Sequence, residues 1–192
     1  PLRMKGSDMV GRNRREERRE ERATFGRGGS AVRYQMREKL MSIGDDSWIE
    51  DSDGDKVYKV NGKAARIRDT WKLEDAGRNT VAEIQEKKLS VRDKIKIDLH
   101  GGRSATVKKA LIGVRDRFHV EVDGGDGIKV HGNIVDHEYE MERDGDKIAE
   151  ISKKWFRVRD TYGVDVFDES ETVLILAITV AGDLDSLSRK LL

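Results

Sequence analysis

The sequence contains no cysteine, which excludes disulfides, thiolate metal sites, cysteine nucleophiles and S-palmitoylation. A cysteine-free chain suits a reducing compartment, and a cytoplasmic location is the expectation. Proline is nearly as scarce, Pro1 being the single one, so no proline-rich segment exists. An N-terminal apolar stretch of the secretory type is missing as well. Neither sign of charge is in excess. Lys plus Arg number 38 against 37 Asp plus Glu, a net charge of +1, and no nucleic-acid partner is expected from so balanced a chain.

Apolar runs are equally sparse, with one exception. The chain is 39% charged with a mean hydropathy of −0.72, yet Thr172 to Ala181 reads TVLILAITVA without a charge. The run is about half the roughly 20 residues that a membrane span needs. It therefore predicts a core helix, apolar on all sides and enclosed by other elements. Asp168, Glu169, Ser170 and Glu171 supply an N-cap and negative charge at its start. Gly182 is the expected breaker or near-terminus, and Asp183 to Leu192 the expected return to an amphipathic, solvated pattern.

At 192 residues the chain fits one domain. Pro1 to Asp8 reads as a cloning remnant ahead of Met9-Val10. Arg12 to Arg22, RNRREERREER, has six arginines, four glutamates and no apolar face, and GRGGS follows at Gly26 to Ser30. Residues 1–30 are thus expected to be a disordered, solvated segment, and residues 31–192 the folded domain.

The middle of the chain repeats. Val57 to Asp69 (VYKVNGKAARIRD), Val81 to Asp93 (VAEIQEKKLSVRD) and Ile148 to Asp160 (IAEISKKWFRVRD) align without gaps. Each has a β-branched residue first, fourth and eleventh, Lys seventh and Arg-Asp last, and follows a glycine turn at Asp53-Gly54, Ala76-Gly77 or Asp144-Gly145. The ending recurs at Val114-Arg115-Asp116. Glycine turns between β-rich runs are hairpin signals, and Lys94 to Leu99 and Phe118 to Val122 alternate as strands do. The pattern predicts an antiparallel meander of about a dozen short strands from Tyr34 to Val166. A β-barrel closed around the C-terminal helix would cover the inner strand face and the helix together. Val57, Val60, Val81, Ile84, Val91, Ile95, Ile97, Val120, Val122, Ile148, Ile151 and Val158 are the expected lining.

Candidate chemistry is thin. His100, His119, His131 and His137 are the four histidines. His131 and His137 would share a strand face, but Gly132-Asn133 interrupts them and no third ligand stands at a recognisable spacing, so surface histidines and no metal are expected. Asp51 to Asp55, Asp123 to Gly127 and Asp144 to Asp146 lack the closing glutamate of a calcium loop and read as turns. His100 to Ser104 has neither a nucleophile elbow nor a Walker lysine and reads as a hairpin loop. No nucleophile, base and orienter can be named together, so neither an enzyme nor a cofactor is expected. The basic pairs Lys87-Lys88, Lys108-Lys109 and Lys153-Lys154, with Arg157, are the candidate anion-binding residues. Pairing with Glu83, Glu86 and Glu150 on a solvated surface is the plainer reading of the same lysines.

Thr161 to Asp185, TYGVDVFDESETVLILAITVAGDLD, resembles the C-terminal signature of the LURP-one-related family, a short strand and acidic turn leading into an apolar central helix. Lys129 to Trp155 resembles its glycine-containing strand, hairpin and Ala-Glu-Ile-x-Lys-Lys segment, and Tyr34 to Lys39 and Val107 to Lys109 fall where its strands are expected. The resemblance spans Arg33 to Leu187. It implies the fold of the Tubby C-terminal domain and the phospholipid scramblases, a mainly β, twelve-stranded antiparallel barrel enclosing a hydrophobic C-terminal α-helix. It also implies phosphoinositide binding of the Tubby kind or membrane association of the scramblase kind. The proline-rich region and cysteines of scramblases have no counterpart, and no motif assigns a headgroup site residue by residue. The expected function is a non-enzymatic, peripheral binding domain for anionic phospholipid or a protein partner. The alternatives are a scaffold or small-ligand carrier without a membrane role, and an unrecognised hydrolase acting through the histidines.

Overall fold

Alternating apolar and charged residues between glycine turns fold as a chain of short antiparallel strands. The computed structural model describes residues 31–37, 46–62, 70–87, 94–109, 117–156 and 161–190. Its strands are β1 (Val32–Arg37), β2 (Asp46–Asp51), β3 (Lys56–Asn61), β4 (Thr70–Asp75), β5 (Thr80–Lys87) and β6 (Lys94–Leu99). They continue as β7 (Ser104–Lys109), β8 (Arg117–Val122), β9 (Ile128–Asn133), β10 (Glu138–Arg143), β11 (Asp146–Ser152) and β12 (Thr161–Val166). Each pairs with its neighbours in sequence, and β1 pairs with β12 to close a barrel. The closing register runs from Val32 opposite Val166 to Arg37 opposite Thr161, so no sheet edge is left to pair with another chain.

The three-fold repeat contains a contradiction that the structure resolves. Its first and fourth positions are three residues apart, which a regular strand would send to opposite faces. In every copy the first residue is the extra residue of a β-bulge. Pairing steps from Tyr58 to Lys56 against Ile49 and Glu50, omitting Val57. It steps from Ala82 to Thr80 against Leu73 and Glu74, omitting Val81, and from Ala149 to Lys147 against Met141 and Glu142, omitting Ile148. A bulge shifts the alternation by one residue. The inward line therefore runs through the second and fourth positions, Tyr58 and Val60, Ala82 and Ile84, Ala149 and Ile151. Ile148 is buried and Val81 packs against the core, but Val57, expected inside, is only half-buried. Val91, Val158 and the Arg-Asp endings lie outside the described residues, as do residues 1–30.

After β12, Asp168 accepts the amide of Ser170 at 3.1 Å and caps a short 3-10 turn, Glu169–Glu171, that runs straight into α1 (Thr172–Lys190). Leu174, Ile175, Leu176, Ala177, Ile178, Val180 and Ala181 of α1 are buried in one core with the inward residues of the strands. Two expectations fail here. Gly182 does not end the helix, and Asp183 is buried rather than solvated. A Cβ on Gly182 would stand 3.4 Å from Ile134 and 3.8 Å from the Tyr139 hydroxyl. Burial of the helix on either side, at Val180, Ala181 and Leu184, outweighs the roughly 1 kcal/mol by which glycine disfavours a helix interior.

Candidate functional site

Because hairpins alternate direction, every second connection emerges at the same end of the barrel. At one end the Asp and Gly turns follow one another, and there α1 is tied to the wall. Glu171 is buried at the helix start and accepts from Arg103, in the β6–β7 turn, and from Arg143 at the end of β10, the latter at 3.1 Å. Burial works against its charge, yet the two guanidinium groups prevail and hold the carboxyl below the ordinary range. His100 to Arg103 is thus the tight turn of a hairpin whose arginine anchors the helix.

At the opposite end a polar constellation is buried. Asp183 of α1 faces the His137 Nε2 atom at 2.6 Å and accepts from the Tyr162 hydroxyl at 2.6 Å. The His137 ring stacks on Tyr162 with centroids 4.1 Å apart. His137 is therefore not the surface residue expected; a backbone φ of 53° turns it inward at the β9–β10 connection. Tyr139 lies alongside, and burial pushes its hydroxyl far up, Asp183 adding to the effect against a bond with Thr179. These residue types could relay a proton, but all are enclosed. Their geometry joins α1, β12 and the β9–β10 turn into one unit.

The outer wall at this end carries a feature that no single segment displays. Lys87 stands opposite Lys94, Lys94 opposite Lys108, Lys108 opposite His119 and His119 opposite Lys129. The buried neighbours Ile84, Ile95, Val107, Val120 and Val130 fix the alternation, so all five basic side chains lie on the outer face. At about 4.8 Å per strand the row spans roughly 19 Å. Lys108 bonds Glu121 one position away. That bond holds the Glu121 carboxyl below the usual range, and the charges of Lys108, His119 and Lys94 add to it. Among the described residues no carboxylate is in ion-pair contact with Lys87, Lys94 or Lys129, although Glu142 stands directly opposite Lys129. Four residues further along the same strands, beyond Gln85, Lys96 and Thr106, Glu83, Asp98 and Ser104 stand in register, with Asp123 bonded to Ser104. There Lys72 pairs with Glu83 at 3.1 Å and Lys96 with Asp98 at 2.7 Å, so charge is balanced along the barrel away from the basic row.

Of the residues named from sequence, Lys87 and Lys108 enter this row. Lys109 ends β7 opposite Phe118; Lys88 and Arg157 lie outside the described residues. Lys153 and Lys154 stand elsewhere, past β11, where both backbone amides donate to Glu138 and the Lys154 ammonium pairs with it at 3.0 Å. Lys94, His119 and Lys129 were missed as site residues because each is isolated in sequence. Outward alternation in Lys94-Ile95-Lys96-Ile97 and Phe118-His119-Val120 was the available signal. Directly inside the row, Val107, Phe118, Val130, Ile134, Tyr139 and Ile178 line a small apolar pocket against α1. Among the described residues no helix is long and apolar enough to cross a membrane.

A family model described as LURP-one-related matches residues 32–183. Among solved structures the chain is similar to the X-ray structure of a protein from Arabidopsis thaliana, with a TM-score of 0.56 and 15% identity over 79% of this chain and 90% of that one. At that identity the likeness concerns the fold. Comparison with curated proteins gave no match.

Proposed function

The chain belongs to the LURP-one-related family, and from that premise we propose that it is a non-catalytic domain whose basic wall engages an anionic, phosphate-bearing membrane surface. The carrying observation is the cross-strand row Lys87, Lys94, Lys108, His119 and Lys129. Like charges set directly opposite one another weaken a sheet, so Lys87, Lys94 and Lys108 side by side are a cost to folding that the Lys108–Glu121 bond offsets only in part. Each lysine near an anionic bilayer contributes about 1 kcal/mol. Four of them give weak, reversible attachment that fades once salt shortens the screening length to about 8 Å.

Co-sedimentation with phosphatidylcholine vesicles containing phosphatidylserine or a phosphoinositide, at low and physiological salt, tests this reading. Salt-sensitive binding is expected, weakened at least tenfold by the double substitution Lys94→Glu and Lys129→Glu, since reversing two charges removes about 2 kcal/mol or more. Binding that is absent at both salts, or unaffected by the double substitution, overturns it.

A further inference from the structure

Beside the basic row, strands β9 and β10 bring one imidazole and two carboxylates together. Glu140 stands directly opposite His131, and Glu142 follows on the same strand, two residues on. The intervening residues Tyr139, Met141 and Val130 are buried, so His131, Glu140 and Glu142 share the outer face of a closed wall. Their donor atoms all lie within 4.8 Å of one another, and His131 Nε2 is 3.1 Å from Glu142 Oε1. The sequence conceals the grouping, because the partners of His131 come from the facing strand rather than from its own segment.

We propose that His131, Glu140 and Glu142 form a binding site for a divalent transition-metal cation of the zinc type. Bonds of about 2.0–2.2 Å to each donor require donors roughly 3–3.5 Å apart. His131 and Glu142 already satisfy this, and Glu140 reaches it by a side-chain rotation on the exposed wall. One imidazole nitrogen with two carboxylate oxygens suits zinc, manganese or nickel better than calcium, which takes oxygen ligands. The half-exposed position leaves further coordination positions to water or to a group on a partner. Lys147 is the competing cation, holding Glu140 at 2.8 Å and Glu150 at 3.1 Å. Metal and ammonium therefore compete for the charge of Glu140, and losing Lys147 favours the metal.

The test is titration calorimetry and thermal unfolding of the EDTA-treated full chain with zinc chloride, with calcium chloride in parallel. One zinc per chain and a raised melting temperature are expected, with calcium producing neither. His131→Ala and Glu142→Gln each weaken zinc binding by about tenfold or more, and Lys147→Met tightens it. Circular dichroism shows whether these surface variants keep the barrel. Absence of zinc binding, equal binding of calcium, or zinc binding unchanged in folded His131→Ala would overturn the proposal.

Discussion

Arg78 occupies a backbone conformation that side chains avoid. Three hairpin turns share the same pair of hydrogen bonds: Asp51 with Asp55 and Gly54, Asp75 with Asn79 and Arg78, and Leu99 with Arg103 and Gly102. The fourth residue of each turn has positive φ, 83° in Gly54, 90° in Gly102 and 66° in Arg78. An L-residue there costs about 1–2 kcal/mol, and glycine returns part of the difference through its freer unfolded chain. Arg78→Gly should stabilise the protein by about 0.5–1 kcal/mol, read as a higher urea midpoint at unchanged slope. At this scale the sequence was partly legible. The glycine at Gly77 located the turn, but the left-handed position fell on its neighbour. His137 shows the same limit, since nothing near it in sequence tells that Asp183 and Tyr162 await its ring.

As an element, α1 is fastened at its start, by Glu171 to Arg103 and Arg143, and again past its middle, by Asp183 to His137 and Tyr162. The Glu171 carboxyl has a folded pKa below its unfolded value. Its contribution is therefore present above the unfolded value of about 4.3 and is lost as pH falls through the folded one. Glu171→Gln should cost about 1–3 kcal/mol near neutral pH by leaving two guanidinium groups unpaired, moderated because Arg103 is 41% exposed. Urea unfolding of the two proteins should show a gap that is widest above pH 5 and narrows as pH falls below the unfolded value. The acidic cluster before the helix was legible as a cap, and Asp168 serves as one. That Glu171 instead turns inward to two arginines was not, because Arg103 is 68 residues away.

For the whole molecule, α1 is the common core of a closed sheet. A charge placed on its enclosed stretch, from Leu174 to Ala181, has no route to water. Leu176 is fully buried, and Leu176→Asp strands a carboxylate among apolar residues at several kcal/mol. Set against a typical total stability of about 5–15 kcal/mol, that substitution should abolish cooperative unfolding and expose the chain to limited proteolysis; a soluble, sharply melting variant would contradict the enclosed helix. The sequence by itself determined the strands, the hairpins, the apolar helix and the family pattern, because alternation, glycine turns and uncharged runs are local signals written within a few residues. Only the tertiary structure decided which residues meet. Barrel closure and register placed Lys87, Lys94, Lys108, His119 and Lys129 in one row, and His131 against two glutamates. The bulges at Val57, Val81 and Ile148 show why: shifting a strand by one residue exchanges its faces, and pairing with the neighbouring strand sets that shift.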